Sequence, residues 1–167
     1  MVFQEPYVSL NPRWRVGDIV GEPIKMLENM SAKERLLRIH EVLDLVGLPS
    51  HYANLYASQL SAGEQKRIGV ARALSVDPEF IIFDEPTTAL DIKVRANLIN
   101  LILQLQADMG LTAVFITHDL NSVRALAHRV AVMHQGRIVE EGMTADIFES
   151  PVQEYTKTLL AAELVIE

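Results

Sequence analysis

Four apolar residues in a row, Phe80-Ile81-Ile82-Phe83, closed at once by Asp84-Glu85-Pro86, constrain this chain more than any other feature. A half-buried strand alternates apolar with polar residues, so an unbroken apolar run reads as a strand covered on both faces, as in a parallel sheet. The periodicity then changes. Leu98, Leu101, Ile102, Leu105 and Met109 recur at helical spacing as far as Gly110, and a second apolar run follows at Thr112-Ala113-Val114-Phe115-Ile116-Thr117. Strand, helix, strand in that order predicts a βαβ crossover, hence an α/β fold with a parallel sheet flanked by helices.

The flanking sequence supplies the other elements. Met1-Val2-Phe3 reads as the end of a buried strand, with a polar loop through Pro6, Asn11 and Pro12 after it. Val16 to Met30 is weakly helical, interrupted by Gly17, Gly21 and Pro23. Ser31 with Glu34 forms an S-x-x-E capping box for a helix whose Leu36, Ile39, Leu43 and Val46 share one face. A second box, Ser61 with Glu64, opens a helix through Ala71 and Leu74 that ends near Asp77-Pro78. Asp119 predicts a short capped helix through Leu126, Gln135-Gly136 a hairpin turn, and a last helix runs from about Pro151 to Leu164. The expected organisation is one domain over 1–167, with a helical subdomain at about 16–76, an α/β core at about 77–143 and a helical tail at 144–167.

Composition narrows the chemistry. With 167 residues there is room for one sizeable core. The absence of cysteine removes disulfides, thiolate metal sites and a cysteine nucleophile. A net charge of −7 repels a phosphate backbone, so no nucleic-acid partner is expected. No apolar run approaches the roughly 20 residues that cross a bilayer as a helix.

In open α/β sheets, ligands sit beyond the carboxyl ends of the strands. Asp84-Glu85 ends one strand there and His118 follows its neighbour. Acidic residues also terminate strands without any function, and a single histidine is often a surface group. Two adjacent carboxylates and a histidine together argue for metal and proton chemistry, one carboxylate holding Mg²⁺ and the other activating a water. Ser61-Ala62-Gly63-Glu64 opens a helix, whose unpaired N–H groups attract anions, although a capping box alone explains the pattern.

Taken together, Leu60-Ser61-Ala62-Gly63-Glu64-Gln65-Lys66-Arg67, the run from Phe80 to Asp91, Thr117-His118-Asp119 and Phe3-Gln4-Glu5-Pro6 resemble the nucleotide-binding subunit of ATP-binding-cassette (ABC) transporters. The resemblance spans essentially the whole chain and identifies these segments as signature, Walker B with D-loop, switch histidine and Q-loop. It implies the P-loop NTPase fold of that family, with ATP and Mg²⁺ as substrate and cofactor. It implies that Asp84 and Gln4 support Mg²⁺, that Glu85 polarises the attacking water and that His118 contacts the γ-phosphate. Gln4 would also reach the attacking water. Ser61 and Gly63 would contact ATP held by a second cassette, and Asp91 would line the interface between the two.

Two positions depart from the family pattern. The usual signature is Leu-Ser-Gly-Gly-Gln, where this chain has Ala62 and Glu64. A carboxylate beside a triphosphate is unfavourable, so Glu64 is expected to turn back and cap its own helix. The phosphate-cradling G-x-x-x-x-G-K-[ST] is absent, none of the 8 glycines being followed by Lys-Ser or Lys-Thr. The expectation is an N-terminally truncated cassette, inactive alone, that exposes an apolar sheet edge at Phe80 to Phe83 or its neighbours and dissolves poorly.

The Glu5-to-Pro12 continuation and the Ile147-Phe148-Glu149-Ser150-Pro151 tail with Tyr155 to Leu160 look like the oligopeptide, dipeptide, glutathione and nickel importer branch. That likeness implies transmembrane permease subunits as partners, meeting the helical subdomain, and a solute-binding protein outside the membrane as an indirect one. It places the chain at the cytoplasmic face of the membrane. Two rivals are a cassette ATPase of translation or DNA repair, and a non-catalytic remnant that still occupies a partner.

Overall fold

The computed structural model describes residues 1–5 and 10–163. It divides into a unit over Met1–Ile116 and a second over Thr117–Glu167.

In the first unit, α1 (Val16–Leu27), α2 (Ala32–Leu45) and α3 (Ala62–Leu74) pack on one another, joined by 3₁₀ turns at Ser50–Asn54 and Ala57–Gln59. The glycines that interrupt the α1 pattern are packing positions: a Cβ on Gly21 would stand 2.9 Å from Ile39 Cδ1 on α2. Close approach of the two helices therefore outweighs the roughly 1 kcal/mol that a helical glycine costs. The Ser31–Glu34 capping box forms as the spacing requires, and Ile39, Val42, Leu43 and Val46 are buried. Leu36 does not join them. It is half exposed. At the far end of α3, Arg38 reaches across from α2 and donates to the Leu74 carbonyl at 2.9 Å and to Asp77 at 2.5 Å, supplying partners to a helix terminus.

The sheet is parallel as expected. β1 (Phe80–Asp84) pairs with β2 (Thr112–Ile116) in the register Phe80–Thr112 to Asp84–Ile116, and α4 (Ile92–Met109) makes the crossover, ended by left-handed Gly110. On its other edge β1 receives Val2, whose N–H donates to the Ile82 carbonyl and whose carbonyl accepts from Asp84 N–H, both at 2.8 Å. Thus β1 is paired on both edges. It is not covered on both faces. Ile81 and Phe83 are buried, with Phe83 stacked 4.9 Å from Phe115, while Phe80 is 49% exposed. Among the described residues none covers the face that carries Phe80, Val114 and Ile116, so the expected double burial is realised on one side.

The second unit holds α5 (Leu120–Leu126), the antiparallel hairpin β3 (Arg129–His134) and β4 (Arg137–Met143), α6 (Thr144–Glu149) and α7 (Glu154–Glu163). Gln135 and Gly136 both have positive φ, the conformation a two-residue hairpin requires. The last helix starts at Glu154 rather than Pro151, because Glu140 of β4 accepts the Val152 and Gln153 N–H groups and holds that stretch as a loop. The short helix α6 lies within the 144–167 stretch read as a helical tail, ahead of the one helix placed there from the sequence. Leu164 and the Pro6 to Ser9 part of the Q-loop lie outside the described residues. No described helix is long and apolar enough to cross a membrane.

Candidate functional site

The parallel pairing brings Asp84 to the last position of β1, and Glu85 follows as the chain turns away. Glu85 adopts φ of 43°, a left-handed conformation that a non-glycine residue holds only where its surroundings impose it. Three hydrogen bonds impose it here. Its N–H donates to the Ile116 carbonyl at 2.8 Å, tying the turn to the end of β2, while its carbonyl accepts from Thr88 N–H and from Lys66 Nζ, both at 3.3 Å.

The Glu85 carboxylate is itself oriented. Gln4 Nε2 donates to Oε2 at 2.7 Å and Thr88 Oγ1 donates to the same oxygen at 2.9 Å. Gln4 and Glu85, 81 residues apart in sequence, are therefore direct neighbours, because Val2 bridges to β1 and carries the following residues to the strand's carboxyl end. Asp84 lies beside them, half buried. Among the described residues no group of three or more His, Asp or Glu could cage a metal ion. Asp84 and the Gln4 amide offer oxygen donors, the ligand type that Mg²⁺ takes.

Ser61 and Gly63 belong to a second cluster at the start of α3. Ser61 Oγ accepts from Glu64 N–H, Ser61 N–H donates to Glu64 Oε2 at 2.8 Å, and the Ser61 hydroxyl donates to the same oxygen at 2.7 Å. The expected cap is formed. Tyr52, from the preceding 3₁₀ turn, adds its hydroxyl to Glu64 Oε1 at 2.7 Å. The Tyr52 hydrogen bond first, then those from Ser61, and the nearby Arg67 hold the Glu64 carboxyl below the usual value of 4.5. The same contact pushes the Tyr52 hydroxyl above its usual 10.0. Gly63 has a packing reason of its own, since a Cβ there would stand 2.6 Å from Val94 Cγ1 on α4. Asp91 is the N-cap of α4, accepting from Val94 N–H at 2.9 Å.

His118 is the second residue of the second unit and is exposed. Its neighbour Asp119 caps α5 through Ser122, whose hydroxyl donates to it at 2.6 Å.

Sequence reasoning missed three residues at these clusters. Tyr52 lies in no motif, and Thr88 and Lys66 lie inside the Walker B and signature segments with no role assigned to them. Lys66 is 3% exposed, the one buried charged side chain among the described residues. Its ammonium donates to the Gln4 carbonyl as well as to that of Glu85. Burial pulls its pKa down from 10.5, against the attraction of Glu85, Asp84 and Glu5.

Comparison with known proteins gives the family. Residues 1–88 match the family described as ABC transporter. The chain is 47% identical over 163 residues to the oligopeptide transport ATP-binding protein OppF of Bacillus subtilis, covering 97% of this chain and 53% of that protein. It is 44% identical to the dipeptide transport ATP-binding protein DppF of Haemophilus influenzae, covering 97% of this chain and 50% of that protein. Among solved structures, the dimeric ATP-binding cassette MJ0796, bound to ADP and Pi after hydrolysis, superposes with a TM-score of 0.73 at 34% identity, over 86% of this chain and 61% of that one. The chain thus spans about half the length of the two transport proteins.

Proposed function

The chain belongs to the ABC transporter family, and on that footing we propose that it is the water-activating and signature-bearing part of the ATP-hydrolysing subunit of a peptide importer. The observation that carries the reading is the Glu85 carboxylate, fixed at the carboxyl end of β1 by the Gln4 amide and the Thr88 hydroxyl. A carboxylate held in one orientation at a strand end can accept the proton of a water directed at a phosphoryl group, and its fixed hydrogen bonds spare reorganisation during reaction.

In this reading Glu85 polarises the attacking water, and Gln4, already on Glu85, reaches both that water and the cation. Asp84 and Gln4 would hold Mg²⁺. When bound, the ion neutralises charge that develops on the phosphates. His118 contacts the γ-phosphate. Ser61 and Gly63 serve ATP held by a second ABC subunit, identical or paralogous, and Asp91 lies along that interface. To bind a phosphate oxygen, Ser61 turns its hydroxyl proton away from Glu64, leaving the carboxylate on the Tyr52 hydroxyl and the Ser61 N–H.

Two observations support the importer reading: the motif set in the family order, and the OppF and DppF similarity over 97% of the chain. In that reading helices α1 to α3 are the part that meets a permease. The proposed setting is the cytoplasmic face of the membrane, bound to transmembrane permease subunits and served indirectly by a solute-binding protein. These 167 residues contain no G-x-x-x-x-G-K-[ST], so by themselves they are expected to bind ATP poorly and hydrolyse it negligibly. The experiment is ATP-driven uptake of labelled peptides by vesicles that carry the assembled transporter containing this chain. Uptake that is lost in Glu85→Gln supports the reading, whereas uptake indifferent to that change, or ATP turnover by the 167 residues alone that depends on Glu85, contradicts it.

A further inference from the structure

We propose that Lys66 is a positioning residue that ties helix α3 to the two backbone segments bearing Gln4 and Glu85, and so fixes where the amide and the carboxylate stand. The inference rests on the reading of Glu85 given above and deepens it.

Three observations carry it. Lys66 is buried, and a buried ammonium is costly unless its protons are taken up. The groups that take them up are backbone carbonyls at the two points that matter, Gln4 O and Glu85 O, 62 and 19 residues away. Those two residues are also joined through their side chains, so Gln4, Glu85 and Lys66 close a ring of contacts between α3, the segment beside β1 and the turn after β1. One turn along α3, Gly69 faces Val2: a Cβ added there would stand 3.7 Å from Val2 Cγ1, so the helix runs close beside that segment. Removing the ammonium would free both carbonyls and release the left-handed turn at Glu85 from one of its restraints.

There is a consequence for how two cassettes communicate. The N-terminus of α3 carries Ser61 and Gly63, proposed to read the nucleotide of the second subunit, while Lys66 on the same helix holds the Glu85 that acts on this subunit's own nucleotide. A shift of α3 on one nucleotide is thereby felt at the carboxylate that hydrolyses the other. No further element is needed between them.

The test compares Lys66→Met, which keeps the aliphatic stem and removes the donors, with Lys66→Arg, which keeps donors and charge. Both are measured in the assembled transporter containing this chain, by steady-state ATP hydrolysis and by amide hydrogen exchange. The expected result for Lys66→Met is a kcat lowered about 10- to 100-fold, the scale of a misplaced reacting group, with KM for ATP changed less than about two-fold. Exchange should quicken over residues 85–88 while α3 stays protected, and Lys66→Arg should lie nearer the wild type in both. A kcat within about two-fold of wild type in Lys66→Met overturns the proposal, as does exchange that rises evenly over the whole chain, or an Arg variant as impaired as Met. If the wild-type complex hydrolyses no ATP, the reading of Glu85 falls instead, and exchange at residues 85–88 alone decides whether Lys66 holds the turn.

Discussion

Glu64 shows how a residue that departs from the family signature is accommodated. Three groups already bind its carboxylate: the Tyr52 hydroxyl, the Ser61 hydroxyl and the Ser61 N–H. The first prediction is that Glu64→Gln leaves ATP turnover of the assembled transporter unchanged or raises it, since the amide keeps the cap and frees the Ser61 hydroxyl. A large fall in turnover on that change would contradict this. The second prediction concerns pH. A carboxyl held below 4.5 in the fold contributes stability that is complete above that value and is lost as pH falls through the depressed one. Glu34, lowered by the Ser31 side chain and then its backbone, acts in the same direction. Acid denaturation followed by circular dichroism should therefore steepen below about pH 4.5, and less so in Tyr52→Phe, which removes the largest cause of the Glu64 shift. The capping pair Ser61 and Glu64 was legible because its partners are three residues apart. Tyr52, twelve residues away across a 3₁₀ turn, and Lys66, bonded to a carbonyl 62 residues away, were not, because no local pattern encodes a contact made only when the chain has folded.

At the scale of elements, periodicity identified β1, β2 and α4 correctly, since apolar spacing is set by which face is buried and that is a local property. It overstated how far β1 is covered. Phe80-Ile81-Ile82-Phe83 has the composition of a strand enclosed on both faces, and composition says nothing of whether covering residues are present. The buried side gives the third prediction. Phe83, fully buried and stacked on Phe115, should cost about 3–5 kcal/mol when replaced by Ala, read as a fall in the denaturation midpoint. A cost below about 1 kcal/mol would mean that the stacked pair does not form the heart of the sheet. Glycine roles were also hidden. Gly21 looks like an interruption of its helix, yet it permits α1 to meet α2 closely, a tertiary fact.

For the whole molecule, the face that carries Phe80, Val114 and Ile116, each 45% exposed or more, is an apolar sheet surface open to water among the described residues. The fourth prediction is that the chain purified alone associates or precipitates, and a monodisperse monomer with cooperative unfolding in size-exclusion and melting experiments would contradict it. The motif order was legible across the whole chain because each motif is a local string, and parallel pairing sets Asp84 opposite Ile116 at the carboxyl ends of β1 and β2. The central claim is that Glu85 activates the water. The most direct measurement is steady-state ATP hydrolysis by the assembled transporter with Glu85→Gln, which keeps the shape of the side chain and its contacts but cannot accept a proton. The account predicts a kcat reduced about 10²- to 10⁴-fold with ATP still bound. A variant that retains the wild-type kcat would contradict it.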